Sequence, residues 1–374
     1  MCPGPRSAPN LGAFDVPALD PARSRRRIAR VPYVLTAILA TLLAACGSSA
    51  PARPSTPADA TGALLSPAVA TAPPSSVEPS AAPAFPVTLT GDDGVAVTLA
   101  AAPAKVVSLT PAETEVLYAI GAGDTVVGKV EDIANVPPEA AEVPIVGTFS
   151  GIDIEKTVAL DPDLVIAGGN GGTPQDAIDK LRSLDVPVLV VYAPDVDGVL
   201  ADITLTGKAV DRADEADALV ATIRGRFDDI AAAIAGADRP KVFYETGDQP
   251  SIYGIADKSV YAEMIDLAGG TPVTTGSTTS WEMPVETLVA ADPDLIILGD
   301  SAYGVTADAV AERPGWSGIS AVRNRAITGI DDIVVTRPGP RLADGLLLLA
   351  RAIHPEATLP EATLPAATPA PSGE

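Results

Sequence analysis

From about Phe85 to Pro355, short apolar runs alternate with segments whose apolar residues recur every three or four positions. That alternation predicts helices layered on parallel sheets. Lys105–Leu109 reads as a strand. Thr110-Pro111-Ala112-Glu113 follows as a helix start, with Thr as N-cap, Pro in the first turn and Glu completing a capping box. Thr125–Val127, Leu164–Ile166 and Val188–Val191 continue the strands, and Gln175–Leu184 supplies a crossing helix. Then the period changes. Val199, Ile203, Thr206, Val210, Ala213, Ala216, Val220, Ile223, Phe227, Ile230 and Ile234 step by three or four, which predicts one long helix with a single buried stripe. Unbroken, it would be roughly 50 Å long; Gly207 and Gly225 mark places where it can kink or break. The strand pattern restarts at Lys241–Tyr244.

The two halves repeat each other. Glu155 to Ile166 matches Glu286 to Ile297 in frame, and each stretch carries Asp-Pro-Asp-Leu near its end. Lys105 pairs with Lys241, and Ile120-Gly121-Ala122-Gly123 with Leu267-Ala268-Gly269-Gly270. A repeat this long is not a solenoid period. It predicts an α/β protein of two similar lobes, central sheets flanked by helices, joined by a single long α-helix. The expected boundaries are 85–197 for the first lobe, 198–236 for the connecting helix and 237–355 for the second lobe.

The flanks differ in composition. Five Arg between Arg23 and Arg30 precede a short apolar stretch, Val31–Ala45, so residues 1–45 read as an export signal too short to favour a spanning helix. Residues 46–84 are nearly all Ala, Pro, Ser and Thr, a tether that cannot bury a core, and 356–374 read as a similar tail. Leu43-Ala44-Ala45-Cys46-Gly47 resembles the lipobox of bacterial lipoproteins. That resemblance implies cleavage before Cys46 and a diacylglycerol on its thiol; the alternative is an ordinary secretory signal with a chance Cys.

The net charge of −23 excludes a nucleic-acid partner. One His and two Cys leave no zinc-type ligand set and no usable thiol nucleophile. Aromatics are 4% of the chain, so those in loops stand out. Phe149 precedes Glu155, and Trp281 precedes Glu286, each in a loop rich in small polar residues. Such strand-to-helix loops are where open α/β sheets bind ligands. Two facing rings suit a large flat ligand; the alternative is packing within each lobe. Gly168-Gly169-Asn170-Gly171-Gly172 lacks the Lys-Ser/Thr of a phosphate loop and reads as a flexible rim loop. Arg337 and Arg341 precede the last helix, facing either the cleft or an internal acid. Glu155 and Glu286 open matching helices. They serve either helix-end electrostatics or docking on two basic sockets of a two-fold partner.

From Lys105 to Pro355 the chain resembles the solute-binding proteins of cobalamin and ferric-siderophore ABC importers. The carriers are Val106 to Glu115, both Asp-Pro-Asp-Leu repeats, Arg313-Pro314-Gly315-Trp316, Arg337 to Gly345, and Ile353-His354-Pro355. The resemblance implies that Glu155 and Glu286 dock on permease Arg residues and that Phe149 and Trp281 wall the cleft. It places Tyr192 and Tyr253 at the cleft border, beside Gly169, Asn170 and Arg337.

Polyanionic siderophores want clustered cations, and the cleft loops offer few: Arg337, with Arg341 or Arg313. A corrinoid carries little net charge and amide-fringed faces. Cobalamin or a related corrinoid is therefore the expected ligand, with a ferric siderophore second and heme third. The expected protein is a monomeric carrier, not an enzyme, with no resident cofactor or metal. It is expected to be extracytoplasmic and to meet the membrane only through its lipid. The rivals are a carboxylate-based hydrolase and a surface sensor or adhesion domain without transport.

Overall fold

The computed structural model describes residues 85–134, 136–148 and 150–361. The expected signal, the tether with Cys46, and the end of the tail lie outside these residues. A hairpin comes first, β1 (Val87–Thr90) paired antiparallel with β2 (Ala96–Leu99). The N-terminal lobe follows with β3 (Val106–Ser108), β4 (Val126–Val130), β5 (Ile145–Thr148), β6 (Gly151–Ile152), β7 (Leu164–Gly168) and β8 (Val188–Val191). Their order is β6-β5-β4-β3-β7-β8, parallel except for β6. Strands β3, β7 and β8 are buried throughout because both faces are covered. Val106, Ile166 and Leu189 pack toward α1 (Pro111–Ala119). Val107, Val165 and Val190 pack on the other face, toward α2 (Ile154–Ala159) and α3 (Gln175–Ser183).

The connector is helical, as the period predicts, but it is not one rod. It is α4 (Val196–Ala209) and α5 (Ala213–Ala233), separated by Val210–Arg212 with Asp211 in the left-handed region at φ 58°. Asp197 meets Arg224 at 2.9 Å and Thr204 meets Asp217 at 3.4 Å, so the helices run antiparallel side by side. The turn closes where the Arg212 N–H donates to the Gly207 carbonyl at 2.8 Å, a Schellman-type ending. Gly207 is what lets the helices meet: a Cβ there would lie 2.4 Å from the Ala216 Cβ and 2.7 Å from the Arg212 carbonyl oxygen. Apolar periodicity continued through the turn because both helices bury the same face, and the periodicity alone does not register the reversal.

The C-terminal lobe has β9 (Lys241–Glu245), α6 (Val260–Leu267), β10 (Thr271–Val273), α7 (Val285–Ala291), β11 (Leu295–Leu298), α8 (Ala307–Ala311), α9 (Ser320–Arg323), β12 (Ile327–Gly329), α10 (Asp332–Thr336) and α11 (Leu342–Ile353). Its sheet is wholly parallel, in the order β10-β9-β11-β12. Phe243, Ile296 and Leu298 pack against Leu288, Val310 and the buried Trp316. The opposite face, with Val242, Tyr244 and Ile297, joins one apolar layer that continues through Leu346, Ile223 and Ile203 to the N-terminal sheet.

The internal repeat has a physical cause. Asp161 and Asp292 each end a helix with positive φ, 53° and 46°, a conformation Asp tolerates. Two residues on, Asp163 Oδ2 accepts the N–H groups of Ala104 and Lys105 at 2.8 and 2.9 Å, and Asp294 Oδ2 accepts that of Lys241 at 2.9 Å. Each Asp-Pro-Asp thus pins the start of the strand next door.

Candidate functional site

Between the lobes lies a cleft of about 870 Å³. In the N-terminal sheet the strand order reverses between β3 and β7, and the loops that follow these two strands, Thr110–Glu113 and Gly168–Gly172, form one wall with Tyr192 and the α4 residues Val199, Asp202 and Ile203. The other wall comes from Ala256–Tyr261, Thr278, Thr279 and Trp281, with Ile333 and Arg337 joining them. Placement beyond the carboxyl ends of strands at a switch point is where open α/β sheets take ligands.

Trp281 lines the cleft and is 37% exposed, with its ring set edge-on to Tyr261 at 5.5 Å and 67°. Burial, then Asp332, then Tyr192, push the Tyr261 hydroxyl up to about 12, so it stays protonated. Tyr192 is 42% exposed, and its hydroxyl accepts a hydrogen bond from Asn170 Nδ2 at 2.8 Å. Asn170 itself is left-handed at φ 48°. Gly169 allows the loop to close on that ring, since a Cβ there would sit 2.8 Å from the Tyr192 Cβ. The rim loop is tied across its base. The Gly168 N–H donates to Thr173 Oγ1 at 3.0 Å, and Thr173 N–H to the Gly168 carbonyl at 2.8 Å.

Arg337 reaches the cleft, but its guanidinium is already engaged. It donates to Glu115 at 2.6 Å and to both oxygens of Asp132 at 2.8 and 3.0 Å. Arg341 adds two hydrogen bonds to Glu115, at 2.7 and 2.9 Å. Both Arg side chains are nearly buried, at 13% and 11% exposure, so this is an interlobe ion network and not a free anion receptor. Burial works against the Asp132 charge, but Arg337, together with the backbone N–H groups of Val136 and Ala134, holds that carboxyl below its usual value. Arg313 is likewise internal: it forks onto Glu245 at 2.6 and 2.8 Å and lies over Trp316 at 4.8 Å.

Two expected site residues, Phe149 and Tyr253, and the expected capping residue Glu113 remain. Phe149 lies outside the described residues. Tyr253 is not among the residues that line the cleft; its backbone bridges Gly247 and Glu282, the residue after Trp281. Glu113 does not close a capping box. Thr110 caps the Glu113 N–H at 3.2 Å, but the Glu113 carboxylate turns inward and accepts from the Thr206 hydroxyl at 2.9 Å. Its burial, opposed by Thr206 and reinforced by Asp92, pushes it up to about 7. Asp202 beside it is pushed up to about 9, by burial first and then by Asp92 and Glu113. Neither acid was foreseen in the cleft, although Asp202 adjoins Ile203 on the buried stripe of α4, where a charged residue is out of place.

Glu155 and Glu286 are both exposed in the first turns of α2 and α7, at matching positions of the repeat. Among the described residues neither side chain forms a hydrogen bond or ion pair, and both sit in helix first turns that favour a carboxylate.

The profile of a family described as periplasmic binding protein matches residues 106–334. An uncharacterized ABC transporter substrate-binding lipoprotein of Bacillus subtilis is 35% identical over 73% of this chain and 87% of its own length. A cobalamin-binding protein of Halobacterium salinarum is 30% identical over 86% of this chain and 83% of its own. Among solved structures, the periplasmic vitamin B12 binding protein of Vibrio cholerae is similar with a TM-score of 0.59 and 25% identity, covering 67% of this chain and 96% of that one.

Proposed function

The chain belongs to the periplasmic binding protein family, and on that premise we propose that it captures cobalamin or a related corrinoid in the interlobe cleft and delivers it to an ABC importer. The observation that carries the ligand choice is the engagement of Arg337 by Glu115 and Asp132. With that cation engaged, Lys258 is the one other cationic side chain among the described residues that line the cleft, and the acids there are Glu113, Asp202 and Asp257. A polyanionic ferric siderophore would find no cluster of free cations there. A ligand of low net charge, edged with amide groups, finds aromatic faces in Trp281 and Tyr192 and hydrogen-bond partners in Asn170, Asp202 and the hydroxyls of Thr278 and Thr279. The relatives named for cobalamin and vitamin B12 support the same choice.

Glu155 and Glu286 are the proposed docking points, one acid per lobe, for a permease with basic sockets. Anchoring through a lipid on Cys46 is the proposed tie to the outer face of the cell membrane; among the described residues no helix is long and apolar enough to cross it. Titration of the protein with cyanocobalamin, hemin and ferric citrate, followed by absorbance and Trp fluorescence, tests the reading. Cyanocobalamin is expected to bind and ferric citrate not to. Trp281→Ala should weaken cyanocobalamin binding by about tenfold or more, as loss of an aromatic anchor does. Preferred uptake of ferric citrate would overturn the corrinoid assignment.

A further inference from the structure

The N-terminal hairpin is not a mere addition to the lobe. Its turn, Gly91–Val95, is docked on the edge of β8: the Asp92 N–H donates to the Val190 carbonyl at 2.9 Å, and Arg182 clamps Asp93 at 2.6 Å. Gly91 permits this approach, since a Cβ there would lie 2.7 Å from the Val190 oxygen. From that turn the Asp92 carboxylate accepts the backbone N–H of Tyr192 at 2.6 Å and lies within hydrogen-bonding reach of Asp202. Asp92 is not itself among the residues that line the cleft, whereas Tyr192 and Asp202 are.

We propose that Asp92 is a positioning residue for ligand capture, holding Tyr192 by its backbone and Asp202 by its carboxyl, so that the hairpin sets the shape of one cleft wall. The proposal rests on the reading of the cleft as the ligand site. Asp92, already an acceptor for the Tyr192 N–H, also accepts a hydrogen bond from the protonated Asp202 carboxyl. The groups facing Asp202 are Asp92 from the hairpin turn and Glu113 from α1; Tyr192 lines the same cleft from the loop after β8, and Asp257, Lys258, Tyr261 and Arg337 line it from the other lobe. The sign follows from the raised Asp202 value of about 9. Below it the carboxyl is protonated and the link to Asp92 is intact. As pH rises through it, a second charge appears against Asp92, the link breaks, and the wall loosens.

The test is cyanocobalamin affinity of the full-length protein and two variants between pH 7 and 10. Asp92→Ala should bind about tenfold more weakly at pH 7, on the scale of a lost hydrogen bond to a charged group. Asp92→Asn should restore most of that loss, because its Oδ1 still accepts from Tyr192 and its Nδ2 can donate to Asp202. It should also lose the alkaline decline that the unaltered protein shows. Wild-type affinity in Asp92→Ala, or an unchanged pH profile in Asp92→Asn, would overturn the proposal; should Asp92→Ala fail to fold, the Asp92→Asn profile decides. If the unaltered protein does not take cyanocobalamin at all, the ligand assignment fails. Carbon-13 NMR titration of the carboxyl groups then decides the coupling. A signal titrating near pH 9 should vanish in Asp202→Asn and move down in Asp92→Asn, and its absence from the unaltered protein overturns the proposal.

Discussion

At the scale of single residues, the cleft is governed by how its acids and bases cancel. Glu115 is 4% exposed and receives two guanidinium groups at once, which makes it the keystone of the interlobe network. Glu115→Gln would leave Arg337 and Arg341 with one charged partner, Asp132, between them. Breaking a buried ion pair on one side costs about 3 kcal/mol or more, so the urea midpoint should fall accordingly with an unchanged slope. Sequence reading singled out Trp281, Gly169 and Asn170 because a scarce aromatic and clustered glycines stand out against an Ala-rich background, and Tyr192 through the family resemblance; all four line the cleft. It could not tell whether Arg337 served the ligand or an internal acid, because Glu115 and Asp132 lie more than 200 positions upstream. It read Glu113 as half of a capping box because the local motif was complete, while the partner that wins, Thr206, comes from another helix.

At the scale of elements, strands and most helices were legible because a parallel sheet covered on both faces writes itself as continuous apolar runs. The repeat was legible too, though its cause emerges only from the hydrogen bonds of Asp163 and Asp294. The continuity of the connector was the part the sequence left open. A buried stripe of period three to four persists through a reversal when both arms face the same core, and Gly207 was the one local sign of the break. Gly207→Val would force the Ala216 methyl and the Arg212 carbonyl apart. Overpacking of this kind costs about 1–3 kcal/mol, which thermal melting followed by circular dichroism would register as a lower midpoint. A substitution at Gly225, where added atoms meet nothing within 4 Å, should leave that midpoint nearly unchanged.

At the scale of the whole molecule, the matched positions of Glu155 and Glu286 make a two-point contact the natural test of transport. Reversal of both, Glu155→Lys with Glu286→Lys, should abolish uptake of cobalamin by cells while leaving cyanocobalamin affinity of the purified protein unchanged. Uptake that persists at the original rate would favour a sensing role over delivery. The apolar layer that runs from Val106 and Leu189 through Ile203, Ile223 and Leu346 to Val242 and Ile297 belongs to neither lobe alone. A cut at the Val210–Arg212 turn would leave half of it bare on each fragment. Chimaeras built on this scaffold therefore have to exchange both lobes and the helical pair between them as a single cassette.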